Sequence, residues 1–464
     1  MLLLPLAESM TEIKTAAVLI QLVVIILTAR VFATLARKIG QPAVVGEILA
    51  GLILGPSLFG KIGFVHPYWM GLFYPSNVPS LLDTFTILSQ LGLIFLLFLI
   101  GLEFDFSHLR STRGSSLLIS ITGVVLPFVL GVGLAEFMFS YISGQLHDFS
   151  HLPIDSKTRL GFALFMGTAM SITAIPILGR IMMEMNISRT KLGAVTITAA
   201  AVDDACGWIL LATVSAIVRS GFQFRGTVVM IGETIFFAAV MVLLVRPLVC
   251  KWARLTVREG NGSIGLTSLA VLIALLFLCA IATSKIGIFA IFGAFIFGAI
   301  LSSEKEFRLA VNRRLKDFVT AFFLPIFFTS TGLRTDIGTI HGSGMWLFAI
   351  AVSALAILGK FGGCSLAAKV SGFSSRESVL IGIMMNTRAL MELIVIRAGL
   401  DLGVIPPSVF CMLVLMAVLT TVMTSPMMLR MIPGTELESL VRESGFLAPL
   451  ISRRGVVAST NGGG

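Results

Sequence analysis

TKLGAVTITAAAVDDACGWILLATVSAIVR, residues 190–219, decides the fold. The hydrocarbon core of a bilayer is about 30 Å thick and needs about 20 apolar residues of helix to cross it. This stretch is long enough, and its only acidic residues, Asp203 and Asp204, stand at its centre. Each charge there costs roughly 2.5–3.5 kcal/mol even on insertion scales, so an adjacent pair needs a reason.

Working outward, span-length apolar runs recur along the chain at 14–35, 42–58, 83–103, 114–140, 158–182, 190–219, 226–250, 264–282, 286–303, 315–333, 344–370, 376–400 and 405–431. About 13 transmembrane helices are expected, giving an all-α membrane protein. Composition agrees: 56% of residues are hydrophobic and 12% charged, with a mean hydropathy of +0.99, against roughly 45–50% apolar residues in soluble domains. Residues 1–431 are therefore expected to form one transmembrane domain, and 432–464 a short basic tail without a regulatory domain.

The formal charge of +10 does not signal a nucleic-acid partner, because the basic residues lie between apolar runs and form no stripe or motif. Lys and Arg concentrate after odd-numbered spans and in the tail, which predicts an N-terminus outside and a cytoplasmic C-terminus. The densest cluster, Lys305 to Lys316, reads as a solvated cytoplasmic loop. Met1 to Met10 lacks the basic region of a cleavable signal, so the first span is expected to act as its own targeting signal. Five cysteines, Cys206, Cys250, Cys279, Cys364 and Cys411, sit in apolar segments without CxxC spacing, which argues for neither a disulfide framework nor a zinc site. His147 and His151 fall in the loop after the fourth span and read as ordinary surface histidines.

Thirteen spans divide as six, one and six, so the second set enters the membrane from the side opposite to the first. This is the arithmetic of an inverted repeat. The fifth span of each set is interrupted, by Ser171-Ile172-Thr173-Ala174-Ile175-Pro176 in 158–182 and by Asn386-Thr387-Arg388 in 376–400. Proline removes a backbone donor, and the freed polar groups are tolerated at membrane depth only where protein or water meets them. The two crossed, broken helices predict facing half-helix ends near the midplane.

Neighbours on a helix point about 100° apart, so one carboxylate of the doublet can face a cavity while the other faces a partner helix. Such a coupled pair holds a proton or, when ionised, offers hard oxygen ligands to an alkali ion. The two occupancies exclude each other, and competition for one site is exchange. Lys360, about 4–5 Å from the midpoint of its span, is too deep to snorkel and needs an acidic partner, for which Asp203 or Asp204 is the candidate. It reads either as a carrier of one transported proton or as a fixed counter-ion. Arg388 and Glu392, spaced i, i+4, read as an ion pair that holds the second break open. Ser171 and Thr173 can lend hydroxyl oxygens to the ion or bond back to their own helix. Glu47 and Asn386 complete the candidate set, Glu47 as a structural group or part of an ion entrance.

These residues carry a resemblance. Gly46-Glu47-Ile48 with Leu54-Gly55-Pro56-Ser57, Gly101-Leu102-Glu103-Phe104-Asp105, Ser171-Ile172-Thr173-Ala174 leading to Asp203-Asp204, and Met385-Asn386-Thr387-Arg388 with Glu392-Leu393-Ile394 occur in this order. Together they resemble the monovalent cation:proton antiporter-2 family, which includes bacterial sodium/proton antiporters and plant cation/proton exchangers. The resemblance implies inverted six-helix repeats, a dimerisation domain beside a core that moves as an elevator, and a homodimer. It implies that Asp204 is the essential carrier and that Asp203 is tied to Lys360, a set that goes with electrogenic sodium exchange. Ala389 stands where many relatives have glycine and fills space beside the second break.

The expected activity is secondary antiport of Na+ (or Li+) against H+, with K+/H+ antiport as the alternative and a ligand-gated cation efflux channel as the second. An enzyme is not expected, nor a cofactor beyond the transported ions. The lipid bilayer and monovalent cations are the expected partners, and nucleic acid is not. Expected locations are the inner (plasma) membrane or, in a photosynthetic source, the thylakoid.

Overall fold

The structure, a computed structural model, describes residues 10–59, 80–103, 114–150, 155–173, 178, 182, 187, 190–219, 224–260, 262–388, 390–433, 435 and 437–443. All regular elements among them are helical. In order they are α1 (Met10–Lys38), α2 (Ala43–Leu54), α3 (Ser80–Glu103), α4 (Gly114–Ser150), α5 (Ser156–Ser171), α6 (Lys191–Arg219), α7 (Phe224–Val240), α8 (Arg246–Glu259) and α9 (Leu266–Ile286). There follow α10 (Ala290–Leu301), α11 (Lys305–Phe318), α12 (Leu324–Leu333), α13 (Gly342–Ile357), α14 (Gly363–Val370), α15 (Ser375–Met385), α16 (Leu390–Asp401), α17 (Pro407–Met431) and α18 (Leu437–Glu443). Short π-helical turns, Met241–Val245, Val319–Phe323 and Leu358–Gly362, join α7 to α8, α11 to α12 and α13 to α14.

Among the described residues, nine helices are long and apolar enough to cross a membrane, and α2 and α10 are shorter apolar helices. The expected spans at 158–182 and 376–400 are each interrupted. α5 stops at Ser171, where Ile172 turns extended, and α15 stops at Met385 before α16 resumes at Leu390. Pro176 and Ala389 lie outside the described residues.

Three expectations are corrected. Lys305–Phe318 is a helix and not a loop, because Phe307, Ala310, Val311 and Leu315 recur at helical spacing and are buried on one face. α4 runs on to Ser150, so His147 is helical, exposed and 3.8 Å from Asp148, while His151 lies outside the described residues. The seventh span continues past residue 250 through a π turn into α8, whose Val249, Cys250, Ala253, Thr256 and Val257 form a buried face.

The chain divides into two packing units. The first combines Met1–Leu35, Gly46–Phe106 and Ala212–Thr339. Its small core joins Ile25 of α1, Leu54 of α2, Phe85 of α3, and Ile326 and Leu333 of α12. α3 and α10 meet backbone to backbone at Gly101 and Gly298, where a Cβ on Gly298 would stand 2.2 Å from the Phe98 carbonyl oxygen. Between lipid-bathed helices such close van der Waals approach is the main attraction, which is why small residues mark the seam.

The second unit combines Ala36–Val45, Ser107–Leu211 and Ile340–Gly464. Its core gathers Leu192, Ala199 and Ala200 of α6, Cys364, Ala367 and Ala368 of α14, Leu380, Ile381, Ile383, Met384 and Met385 of α15, and Met428 of α17. Local caps define where its helices begin. Thr190 accepts from the Gly193 N–H at the head of α6, and Asp155 accepts from the Thr158 N–H at the head of α5. That backbone donor holds the Asp155 carboxyl below its ordinary value. Its cap is thus complete at neutral pH and is lost as pH falls through the lowered value. α15 starts with a capping box in which Ser374 accepts from the Glu377 N–H and Glu377 accepts from the Ser374 N–H. Ser374→Ala removes half of that box and is expected to lower stability by about 1 kcal/mol, read as an earlier thermal transition in detergent.

Candidate functional site

α6 carries Asp203 and Asp204, both buried, near its midpoint. The Lys360 ammonium, on the π turn after α13, donates to Asp203 Oδ2 at 2.7 Å and to the Ser171 carbonyl at the end of α5. Both side chains of this ion pair are fully buried. A π turn widens the helix by one residue and is frequent at functional sites. Here Gly359 lets the turn lie against Pro127 of α4, because a Cβ on Gly359 would stand 2.9 Å from the Pro127 Cα. Oδ1 of Asp203 and Oδ1 of Asp204 are buried and accept no hydrogen bond from the described residues.

Arg388 is the second buried cation. It follows α15 in the break, and its Nη1 donates to the Ala169 carbonyl at 3.2 Å and to Glu392 Oε1 at 3.2 Å. Its Nη2 donates to the Met170 carbonyl and, at 3.4 Å, to the Ala356 carbonyl. α5 ends in the buried interior of the second unit with its last carbonyls unpaired by the helix, where the macrodipole places partial negative charge. Arg388 on Ala169 and Met170, and Lys360 on Ser171, satisfy those carbonyls. The cations thereby stabilise a helix end that lipid would not tolerate.

The second break is satisfied from α17. Thr421 Oγ1 donates to the Arg388 carbonyl and to the Ala417 carbonyl of its own helix, and Thr424 Oγ1 lies 3.5 Å from Thr387 Oγ1. Thr387 donates to the Met384 carbonyl at 2.7 Å. Thr173 Oγ1 donates to the Met385 carbonyl at 3.2 Å and so ties one break to the other. Asn386 Nδ2 lies 3.9 Å from Met423 Sδ, while its Oδ1, like Oε2 of Glu392, is buried and without a partner among the described residues.

The structure therefore brings Asp203, Lys360 and the Ser171 backbone into one contact, and Arg388, Glu392 and the end of α5 into another. The Ser171 hydroxyl bonds back to the Thr168 carbonyl at 2.9 Å. Glu47 lies in the first unit, buried on α2, with its carbonyl accepting from Thr329 at 3.3 Å. Among the described residues no three of His, Cys, Asp and Glu group as a metal site. Sequence reasoning missed the roles of Thr421 and Thr424. The signal was present: Thr420, Thr421, Thr424 and Ser425 make a helical stripe of hydroxyls in an otherwise apolar span, and all four are buried.

The family described as sodium/hydrogen exchanger, transmembrane, matches residues 23–431. The Na(+)/H(+) antiporter NhaS4 of Synechocystis sp. is 38% identical over 417 residues, which cover 90% of this chain and 97% of the relative. Cation/H(+) antiporter 18 of Arabidopsis thaliana is 35% identical over 418 residues, 89% of this chain and 48% of its own length, so the chain spans about half of that relative. The solved sodium proton antiporter MjNhaP1 from Methanocaldococcus jannaschii matches with a TM-score of 0.60 at 14% identity, over 92% of this chain and 99% of that one. At that identity the likeness concerns the fold alone.

Proposed function

Because this chain belongs to the sodium/hydrogen exchanger family, we propose that this cation/proton antiporter exchanges Na+ (or Li+) for H+ by alternating access, with Asp204 as the exchanging group. It is an integral multi-pass membrane protein and a transporter, not an enzyme. The observation that carries the reading is the asymmetry within the doublet. Asp203 gives one oxygen to Lys360 at 2.7 Å, while Asp204, equally buried, keeps Oδ1 without a hydrogen-bond partner among the described residues.

A buried carboxylate without a cation is costly, so Asp204 carries either a proton or an alkali ion whenever it faces the membrane interior. Arrival of one expels the other, and that competition couples the two fluxes. Asp203 and Lys360 neutralise each other and hold the doublet in place. If the Lys360 ammonium also releases its proton when the ion binds, net charge moves, and each elementary charge responds to voltage by about 2.3 kcal/mol per 100 mV. We take the exchange as electrogenic on this ground. Thr173, Ser171 and Asn386 supply neutral oxygens beside the breaks, and the Arg388–Glu392 pair keeps them open.

The remaining parts of the proposal follow the same plan. The second packing unit acts as the mobile core, moving as an elevator with its inverted-repeat breaks, and the first as the dimerisation domain of a homodimer. The protein sits in the inner (plasma) membrane with a cytoplasmic C-terminus, or in a thylakoid, and serves pH homeostasis.

Purified protein in liposomes with a trapped pH-sensitive dye tests the ion. Na+ and Li+ are expected to dissipate an imposed proton gradient much faster than K+ or Rb+. Equal rates with K+ would replace the sodium reading by K+/H+ antiport, and cation flux without proton movement would replace antiport by a channel.

A further inference from the structure

We propose that the exposed cationic faces of α8 and α11 form a docking surface for the headgroups of anionic phospholipids. α7, the π turn and α8 are one continuous helix, since Val240, Val245 and Arg246 all keep right-handed helical dihedrals. Its spanning stretch, Val228–Glu259, has 32 residues, roughly 48 Å at 1.5 Å per residue, and so exceeds the hydrocarbon core of about 30 Å.

Charge is distributed along this helix to match. From Val228 to Val245 the only ionisable side chain is that of Glu233, whereas Arg246, Lys251, Arg254 and Arg258 crowd the remainder. The surplus length is therefore the basic segment, and it emerges at headgroup depth. This span is also the least buried of the nine among the described residues.

The faces of α8 settle what it meets there. Val249, Cys250, Ala253, Thr256 and Val257 point into the unit. Lys251, Arg254 and Arg258, spaced i, i+3, i+7, point out, beside Leu248 at 71% and Leu255 at 48% exposure. Leucines beside arginines on an outward face suit neither bulk water nor hydrocarbon. They suit the boundary, with leucines in the acyl layer and cations among phosphates.

α11 repeats the pattern. Lys305, Arg313, Arg314 and Lys316 are exposed, with Leu309 and Phe318 exposed among them. The two helices are locked together by the Trp252 and Phe307 rings, edge to face at 5.6 Å, and by Arg254 donating to both carboxylate oxygens of Glu304 at 2.8–3.0 Å. Arg246–Glu259 and Glu304–Phe318 together hold nine Lys and Arg against four acidic residues. A fixed surface with this excess selects anionic over zwitterionic headgroups.

The full-length protein in a neutral detergent provides the test, with thermal unfolding followed as phosphatidylglycerol or phosphatidylcholine is added at equal mole fraction. Phosphatidylglycerol is expected to raise the transition and phosphatidylcholine to leave it unchanged. The shift should fade as NaCl is raised on the unaltered protein. The variant K251Q/R258Q/R313Q/R314Q should lose more than half of the shift, while the charge-preserving K251R/R258K/R313K/R314K retains it. Inorganic phosphate should reproduce none of it. An equal shift with phosphatidylcholine, a shift indifferent to salt, or a full shift in the glutamine variant would each overturn the proposal.

Discussion

Asp204→Asn reduces exchange of alkali ion for protons in proteoliposomes to the rate of protein-free vesicles, while leaving the thermal transition close to that of the unaltered protein. The two halves of this expectation come from the same geometry. Asn is nearly isosteric with Asp, and Oδ1 of Asp204 accepts no hydrogen bond from the described residues, so none of them is orphaned by the change. What is lost is the negative charge, and with it the only means by which this position binds a cation or a titratable proton. A neutral amide neither attracts an alkali ion nor releases a hydrogen ion, and competition at one site ends. Dye-loaded vesicles read the flux, and a scan in detergent reads the fold. Retained exchange in the variant would remove Asp204 from the mechanism.

The second large effect concerns stability first and transport second. Lys360→Met is expected to destabilise the protein by about 3–5 kcal/mol, because it leaves Asp203 as an uncompensated charge in a fully buried position. The Ser171 carbonyl at the end of α5 loses its donor in the same step. Changing both partners, as in D203N/K360M, should recover most of the loss, since the desolvation penalty disappears together with the attraction. Transport then separates the two roles considered for Lys360. If its ammonium gives up a transported proton, the stable double variant still exchanges through Asp204 but with its response to membrane potential abolished. If Lys360 is a fixed counter-ion, exchange through Asp204 is one ion for one proton in both the unaltered protein and the double variant, and neither responds to the potential. Thermal scans of the single and double variants, followed by exchange at imposed potentials, measure all of this.

Much of the architecture is legible without coordinates because lipid is a strict solvent. An apolar run of about 20 residues has few alternatives to a spanning helix, since every backbone polar group must be satisfied internally. That is why the expected spans and the observed helices coincide at 83–103, 190–219 and 405–431 to within a few residues. It is also why the polar interruptions at Ser171 and Asn386 could be recognised as breaks. At Lys305–Phe318 charge density suggests a loop, whereas the helical spacing of Phe307, Ala310, Val311 and Leu315 marks a helix. A helix at the membrane surface buries only one face, so its mean polarity resembles that of a loop and only its period distinguishes it.

The candidate site divides along the same line. The pairing of Arg388 with Glu392 is local, one helical turn apart, and follows from spacing alone. That Asp203 and Lys360 needed counter-charges was equally plain from their depth. Which groups answered that need was decided by packing across great separations in the chain. Lys360 reaches Asp203 over 157 residues and the Ser171 carbonyl over 189. Arg388 reaches Ala169 and Met170 over more than 200. No periodicity encodes such a contact, because backbone carbonyls carry no residue identity and any helix end presents the same four. The amino-acid sequence by itself determined the solvent, the helices and the places where polar groups would have to be reconciled with that solvent. Only the tertiary structure decided that the end of one broken helix would be closed by cations from a π turn and from the second break. The reason is that satisfying a buried dipole depends on position in space, which folding creates and local sequence does not.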